Sequence, residues 1–286
     1  MKRIVKQVHP HEYAPVAGLE TYRAMPTQSI KSIDPFLFLN HHGPQVYPAH
    51  NNGLPFGPHP HRGFETLTYI FKGDVRHRDS GGYESVIKAG GVQWMTAGKG
   101  LIHAETSSDE YMQNGGEVEI IQLWLNLPSS LKMTEPAYNG LISEELTRFS
   151  QDEGNVSVHL ISGEMDGHKG PHYSMTNLTM TYVDFKKGGR LNQEIPADHQ
   201  ILFYVVNGAL NVNGSIARTN ELVEFRMEGN ELSIEATDDS RIILGYGRPF
   251  NEPIVAQGPF VMNSSQEIHQ AIADYQSGKM GEWVFD

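Results

Sequence analysis

Residues 59–65 read HPHRGFE and residues 103–105 read HAE. Three histidines and two glutamates therefore fall within about fifty residues of a chain that has no cysteine. Imidazole and carboxylate together suit a borderline divalent ion such as Fe, Mn, Co, Ni, Cu or Zn. A His-x-His pair on a strand turns both rings to one face, because strand side chains alternate with period two. His103 and Glu105 share that spacing. Two strands carrying such pairs inward could surround one ion with three nitrogens and one oxygen. Neutral imidazole is the ligand form, so binding weakens as pH falls toward ~6.5.

His59, His61 and His103 supply the nitrogens, and two glutamates compete for the fourth place. Along a straight strand Glu65 lies roughly 13 Å beyond His61, at ~3.3 Å per residue. That is out of reach unless the chain bends at Gly63. Glu105 is two residues from His103, so spacing favours Glu105 and leaves Glu65 as a hydrogen-bonded or solvated strand residue. An isolated His-x-His pair carries little weight among 14 histidines. The second pair, flanked by glycines that permit tight turns, gives it weight. His41, His42 and His50 read as surface residues or supports rather than ligands. Gln122 and Trp124 alternate along a strand and read as core, while His77 and Asp79 read as the rim of a hairpin. No nucleophile elbow, P-loop, zinc-protease motif or dinucleotide fingerprint occurs.

The elements that must position these residues are strands. FETLTYIF, VEIIQLWLNL, VSVHLIS, TMTYVDF, QILFYVV and SRIILGY are rich in β-branched and aromatic residues and are separated by glycine turns. That is the rhythm of a β-sandwich or barrel. The clearest helix is SSQEIHQAIADYQ, where Ser264 and Glu267 fit a capping box and Ile268, Ala271, Ile272 and Tyr275 share a face. Sliding the chain by 135 residues lays TYIFKG over FYVVNG, which implies two copies of one β-domain. The same offset puts Glu194 under His59, Pro196 under His61, Gln200 under Glu65, Asp238 under His103 and Ser240 under Glu105. The second copy has lost the cluster, so an ion belongs to the first copy alone.

Of 286 residues, 22 are basic and 34 acidic, a formal net charge of −12. With no clustered basic stripe, direct nucleic-acid binding is not expected. Lack of cysteine excludes disulfides, thiolate ligands and thiol redox chemistry. The first thirty residues contain no signal-peptide core, and no run approaches the ~18 apolar residues of a membrane span. The expectation is a soluble, cytoplasmic monomer, with a nuclear location also open in a eukaryote.

GPHPHRGFETLTYIFKG followed by AGGVQWMTAGKGLIHAE resembles the first half of a pirin, a two-domain cupin protein. The resemblance continues through QLWLNLPSSLKMTEPAY to GPFVMNSSQEI and spans nearly the whole chain. It departs from the broad cupin pattern, which places the fourth ligand at Glu65, in the way pirins do. It therefore implies His59, His61, His103 and Glu105 as the ligands of one divalent metal, Fe(II) first among the candidates. It implies an all-β fold of two antiparallel jelly-roll barrels face to face, the carboxy-terminal one metal-free, with the segment after Gly258 returning across the first barrel. The expected boundaries are 1–130 for the metal-binding domain, 131–155 for a linker, and 156–286 for the metal-free domain with its terminal helix.

Several pirins resemble quercetinases, dioxygenases that open the central ring of a flavonol. That resemblance implies a flavonol-like substrate and O₂, with Glu105 as the base that takes the substrate hydroxyl proton. Phe56, Phe64, Trp94 and Met95 stand near the ligands in sequence and are the expected pocket residues. The alternative it implies is a metal- or redox-sensing regulator that binds a transcription factor or a metabolic enzyme. An apolar pocket opening onto the metal is what would separate the two.

Overall fold

The computed structural model describes residues 1–285. The chain divides into two compact units that interleave in sequence. One comprises Met1–Glu12, Tyr22–Leu37 and Glu145–Pro249; the other comprises Tyr13–Thr21, Phe38–Glu144 and the segment from Phe250 onward. Each contains a larger and a smaller antiparallel sheet of hydrogen-bonded strands, the open-edged form of a cupin rather than a closed barrel.

In the unit carrying the histidines, five strands run in the order Ala137–Leu141, Val92–Thr96, Phe64–Lys72, Gly116–Asn126 and Phe36–Tyr47. The smaller sheet runs Phe56–His61, Leu101–Thr106, Asp74–Asp79 and Glu84–Lys88. The other unit repeats this plan. Its larger sheet begins Val5–His9, Leu222–Phe225, Gln200–Asn207, Ser240–Gly247 and Thr179–Phe185, and its smaller sheet runs Arg190–Glu194, Glu231–Ala236, Ala209–Val212 and Ser215–Arg218. The repeat suggested by TYIFKG and FYVVNG is thus a repeat of topology.

The units do not follow the expected boundaries. Val5–His9 pairs with Leu222–Phe225, so the amino terminus belongs to the unit without the histidine cluster. The helix Ser265–Gln276 belongs to the histidine unit. The expected linker supplies two edge strands, Ala137–Leu141 against Val92–Thr96 and Thr147–Gln151 against Val156–Ser162. An edge strand satisfies its own backbone groups wherever a free edge exists, regardless of sequence distance. That long-range pairing is why contiguous halves misjudge the units.

The terminal helix forms where its cap signals it: the Glu267 N–H donates to Ser264 Oγ at 3.3 Å. Its buried face is rotated from the expected one. Ile268, Ala271 and Asp274 are buried, whereas Tyr275 is exposed. Asp274 turns inward because Arg62 donates to it at 2.9 Å and Lys279 at 2.8 Å.

Candidate metal centre

Strand pairing brings the motif residues together. Phe56–His61 lies antiparallel to Leu101–Thr106, with His61 opposite Leu101 and His59 opposite His103. The register shifts between His103 and Glu105, which then faces Phe56. Such a bulge re-aims a side chain without ending the strand. The ligating nitrogens of His59, His61 and His103 lie within 4.8 Å of one another.

Their tautomers follow from their partners. His59 Nδ1 lies 2.8 Å from the Gly57 carbonyl and His61 Nδ1 lies 3.1 Å from the Pro259 carbonyl. A carbonyl only accepts, so both Nδ1 atoms carry the proton and both Nε2 atoms present lone pairs. Those two Nε2 atoms are 3.1 Å apart. Two lone pairs at that separation repel unless positive charge lies with them. His103 is fully buried, and neither of its ring nitrogens has a hydrogen-bond partner among the described residues. Buried polar atoms without a hydrogen-bond partner in the protein are suited to another kind of partner, such as a metal ion. Burial, reinforced by the neighbouring His61, His59 and His77, pushes the His103 pKa well below the ordinary imidazole value. Burial and His59 likewise push His61 down to about 3, against the pull of the Pro259 carbonyl. Two of the rings are therefore held neutral, the form that binds metal. The donor set fits a divalent ion.

Glu105 is buried and lines the same cavity as His59 and His61, although its carboxylate does not join the three imidazoles within 4.8 Å. Its Oε1 lies 2.8 Å from the Thr68 hydroxyl, and its Oε2 accepts from Gln122 Nε2 at 3.1 Å. Glu65 faces the other way. It stands opposite Thr96 and three residues from Thr68, and period-two alternation puts it on the other face of the sheet. Its Oε1 accepts from the Thr96 hydroxyl at 2.7 Å. Burial pushes its pKa up to about 7, outweighing the hydrogen bonds from Thr96 and Trp94.

A cavity of about 300 Å³ opens onto His59, His61 and Glu105. Its walls are mainly apolar, formed by Phe38, Leu54, Phe56, Val75, Ile120 and Trp124, with Asn40, His42, Thr68 and Gln122 as polar points. Trp124 stacks on Phe38 with centroids 4.7 Å apart, and its ring lies 5.3 Å from His61. Of the four expected pocket residues, only Phe56 lines this space. Phe64 packs against Trp124 at 4.4 Å, one ring away from the cavity. Trp94 stands opposite Leu67, on the Glu65 face. Met95 packs with Ala97, Leu101 and Tyr138.

Several cavity residues were read otherwise from sequence. Gln122 and Trp124 form its wall rather than core, and Thr68 carried no motif at all. His42 lines it while bonding Thr21 Oγ1 at 2.8 Å, whereas His41 turns to Glu119 at 3.2 Å. The available signal was alternation: Phe38, Asn40 and His42 place polar groups on one face of an apolar strand. His77 and Asp79 are not a solvated rim. They are buried and bonded at 2.9 Å, with His77 stacked on Tyr138 at 4.0 Å.

The segment after Gly258 returns to this unit, as the resemblance implied. Gly258 and Pro259 border the cavity, and the Val261 N–H donates to the Arg62 carbonyl at 3.0 Å. Gly63 has φ +89°, and a Cβ there would lie 2.0 Å from the Val261 carbonyl oxygen, so only glycine allows this approach. Buried Lys132 ties the turn down, donating to the carbonyls of Gly63 at 2.8 Å and Val261 at 3.1 Å and to Asn126 Oδ1 at 2.7 Å.

Two topologically equal β-units, one with converging imidazoles and one without, define a two-domain cupin protein. Residues 18–125 match the Pirin family and residues 180–281 match the Pirin C-terminal cupin domain. The chain is 35% identical to human pirin over 98% of its own length and 94% of that protein. It is 39% identical to Pirin-1 of Arabidopsis thaliana over 88% of this chain and 85% of the relative. The crystal structure of quercetin 2,3-dioxygenase from Acinetobacter baumannii superposes with a TM-score of 0.92 at 34% identity, covering 99% of both chains. The chain belongs to the pirin family. Among its described residues no helix is long and apolar enough to cross a membrane.

Proposed function

We propose that this chain is a metal-dependent dioxygenase that opens flavonol rings with O₂, with His59, His61, His103 and Glu105 as its metal ligands. The observation that carries this reading is the apolar, aromatic-walled cavity of about 300 Å³ opening onto the imidazoles and Glu105. A regulator needs no such space, and this volume is at the lower end of the ~300–1,000 Å³ typical of small-molecule pockets. The similarity to a quercetin 2,3-dioxygenase over the whole chain supports the same substrate class.

Bound at the imidazoles, Fe(II) or another divalent ion would supply Lewis-acid and redox chemistry toward an oxygen-donor substrate and O₂. The protein's own groups do the rest. Phe38, Phe56 and Trp124 offer flat surfaces for a fused aromatic ring system and keep water from it. Asn40, His42 and Gln122 offer hydrogen bonds to hydroxyl groups on that ring system. Glu105 is the carboxylate within the cavity and takes the proton of the substrate hydroxyl. Glu65 faces away and takes no part.

The test is metal content together with quercetin turnover in air, for wild type, Glu105→Ala and Glu65→Ala. The reading expects metal and turnover in wild type and Glu65→Ala, and loss of turnover in Glu105→Ala. Metal lost only from Glu65→Ala would overturn the ligand set. Full metal occupancy without any turnover would sink the dioxygenase and leave the regulator.

A further inference from the structure

Glu105 is held by two residues that form a hydrogen-bond puzzle. Thr68 Oγ1 lies 2.8 Å from Glu105 Oε1 and 2.7 Å from Gln122 Oε1, while Gln122 Nε2 donates to Glu105 Oε2 at 3.1 Å. A hydroxyl has one proton, so Thr68 satisfies one of its two acceptors at a time. If it donates to Glu105, its oxygen faces the Gln122 amide oxygen at 2.7 Å with no proton between them. Turning the amide over does not help, because the amide oxygen would then face the carboxylate. Thr68 and Glu105 are buried, and Gln122 is half-buried. With Glu105 as a carboxylate, the triad is one positive partner short.

A cation on Glu105 Oε1 supplies that partner. The Thr68 proton then passes to Gln122 Oε1, the Gln122 amide keeps Glu105 Oε2, and the positive charge on Oε1 takes the place of the proton missing from its 2.8 Å contact with Thr68 Oγ1. We propose that Thr68 and Gln122 are positioning residues that hold the Glu105 carboxylate by Oε2 and present Oε1 to the ion at His59, His61 and His103. The proposal rests on the ligand set given above, not on the identity of the substrate.

The metal-free unit supports this on independent grounds. Its hairpin glycine Gly208 corresponds to Gly73, which aligns Phe203 with Thr68. Strand pairing then aligns Leu244, opposite Phe203, with Gln122, opposite Thr68. Ile234, opposite Val212, aligns with Glu105, opposite His77. All three members of the triad are apolar where there are no ligands.

The probe is cobalt(II) added to metal-free protein, read by its visible absorption and by competition with a chelator. Thermal midpoints of the metal-free proteins serve as the control for folding. Thr68→Val and Gln122→Leu should each weaken cobalt binding by roughly the 10–100-fold typical of losing an outer partner of a ligand, and should shift the visible bands. Thr68→Ser keeps the hydroxyl and should match wild type. Wild-type affinity and spectrum in both Thr68→Val and Gln122→Leu, with Glu105→Ala impaired, would overturn the clamp alone. Loss in Thr68→Ser equal to that in Thr68→Val would overturn it too, since packing would then be the cause. An unimpaired Glu105→Ala would overturn the ligand assignment and the clamp with it. Should Thr68→Val not fold, Gln122→Leu decides with the same expected loss.

Discussion

The two units share one topology and fill it in opposite ways. The unit without the histidine cluster packs its interior with a large apolar cluster that includes Leu160, Phe203, Leu210, Val212, Leu232, Ile234 and Leu244. The histidine unit has a smaller apolar cluster of Leu19, Leu54, Ile70, Val75, Ile87, Tyr111, Val118 and Ile120, and a cavity beside it. Following strand pairing from the two hairpin glycines, His59 corresponds to Gln193, His61 to Ile195, His103 to Leu232, Glu105 to Ile234 and His77 to Val212. The backbone plan therefore does not require a hollow. A handful of polar-for-apolar exchanges on inward positions decides whether this framework is a site or a core.

The comparison can be broken most directly at a ligand. His103→Ala should lower metal affinity by more than the roughly 10–100-fold that an outer partner is worth, measured by chelator competition. The filled unit should answer differently to a comparable loss. Phe203→Ala should cost about 3–5 kcal/mol of stability in denaturant unfolding, because its cluster is close-packed. Trp124→Ala, on a cavity wall already open on one side, should unfold less and lose turnover while keeping its metal.

Glu65 sharpens the contrast between buried polar groups that have a task and one that does not. Its pKa, raised to about 7, means the folded state favours the protonated acid. Its stabilising contribution is full below the ordinary value near 4.5 and is lost as pH rises through about 7. The loss should reach about 3 kcal/mol, because each tenfold change in proton affinity is worth ~1.4 kcal/mol. Glu65→Gln should remove that pH dependence and leave metal content unchanged; the same slope in both proteins would refute the assignment. The smallest effect concerns the helix face. Tyr275→Lys should change stability by no more than about 0.5 kcal/mol, as befits an exposed position.

How legible this was depended on the kind of signal. The convergence of His59, His61 and His103 was readable because His-x-His repeats the strand period, and the separation expected for Glu65 arises from its place on the other face of the sheet. The second copy was visible in TYIFKG and FYVVNG, but one fixed offset misaligned the ligand positions, because the connecting loops differ in length. Only the pairing of Gln200 with Glu65 survives, since it lies in the aligned strand itself. Thr68, Gln122 and Trp124 were not legible as cavity residues. A strand position facing a hollow and one facing a core have the same period, and only the tertiary arrangement tells them apart. The pocket guess failed for the complementary reason: nearness to a ligand in sequence put Trp94 on the wrong face of its sheet. The Pro259 carbonyl carried no signal, because every residue has a backbone oxygen.

That carbonyl has a consequence for how the protein is made. The oxygen that fixes the His61 tautomer lies 198 residues further along the chain. At ~5–20 residues per second of synthesis, it leaves the ribosome about 10–40 seconds after His61 does. For most of that interval, once Glu105 has followed, all three histidines and Glu105 are outside the ribosome while the ring of His61 still lacks the carbonyl that orients it. An ion bound in the finished geometry would therefore have to wait for the segment around Pro259.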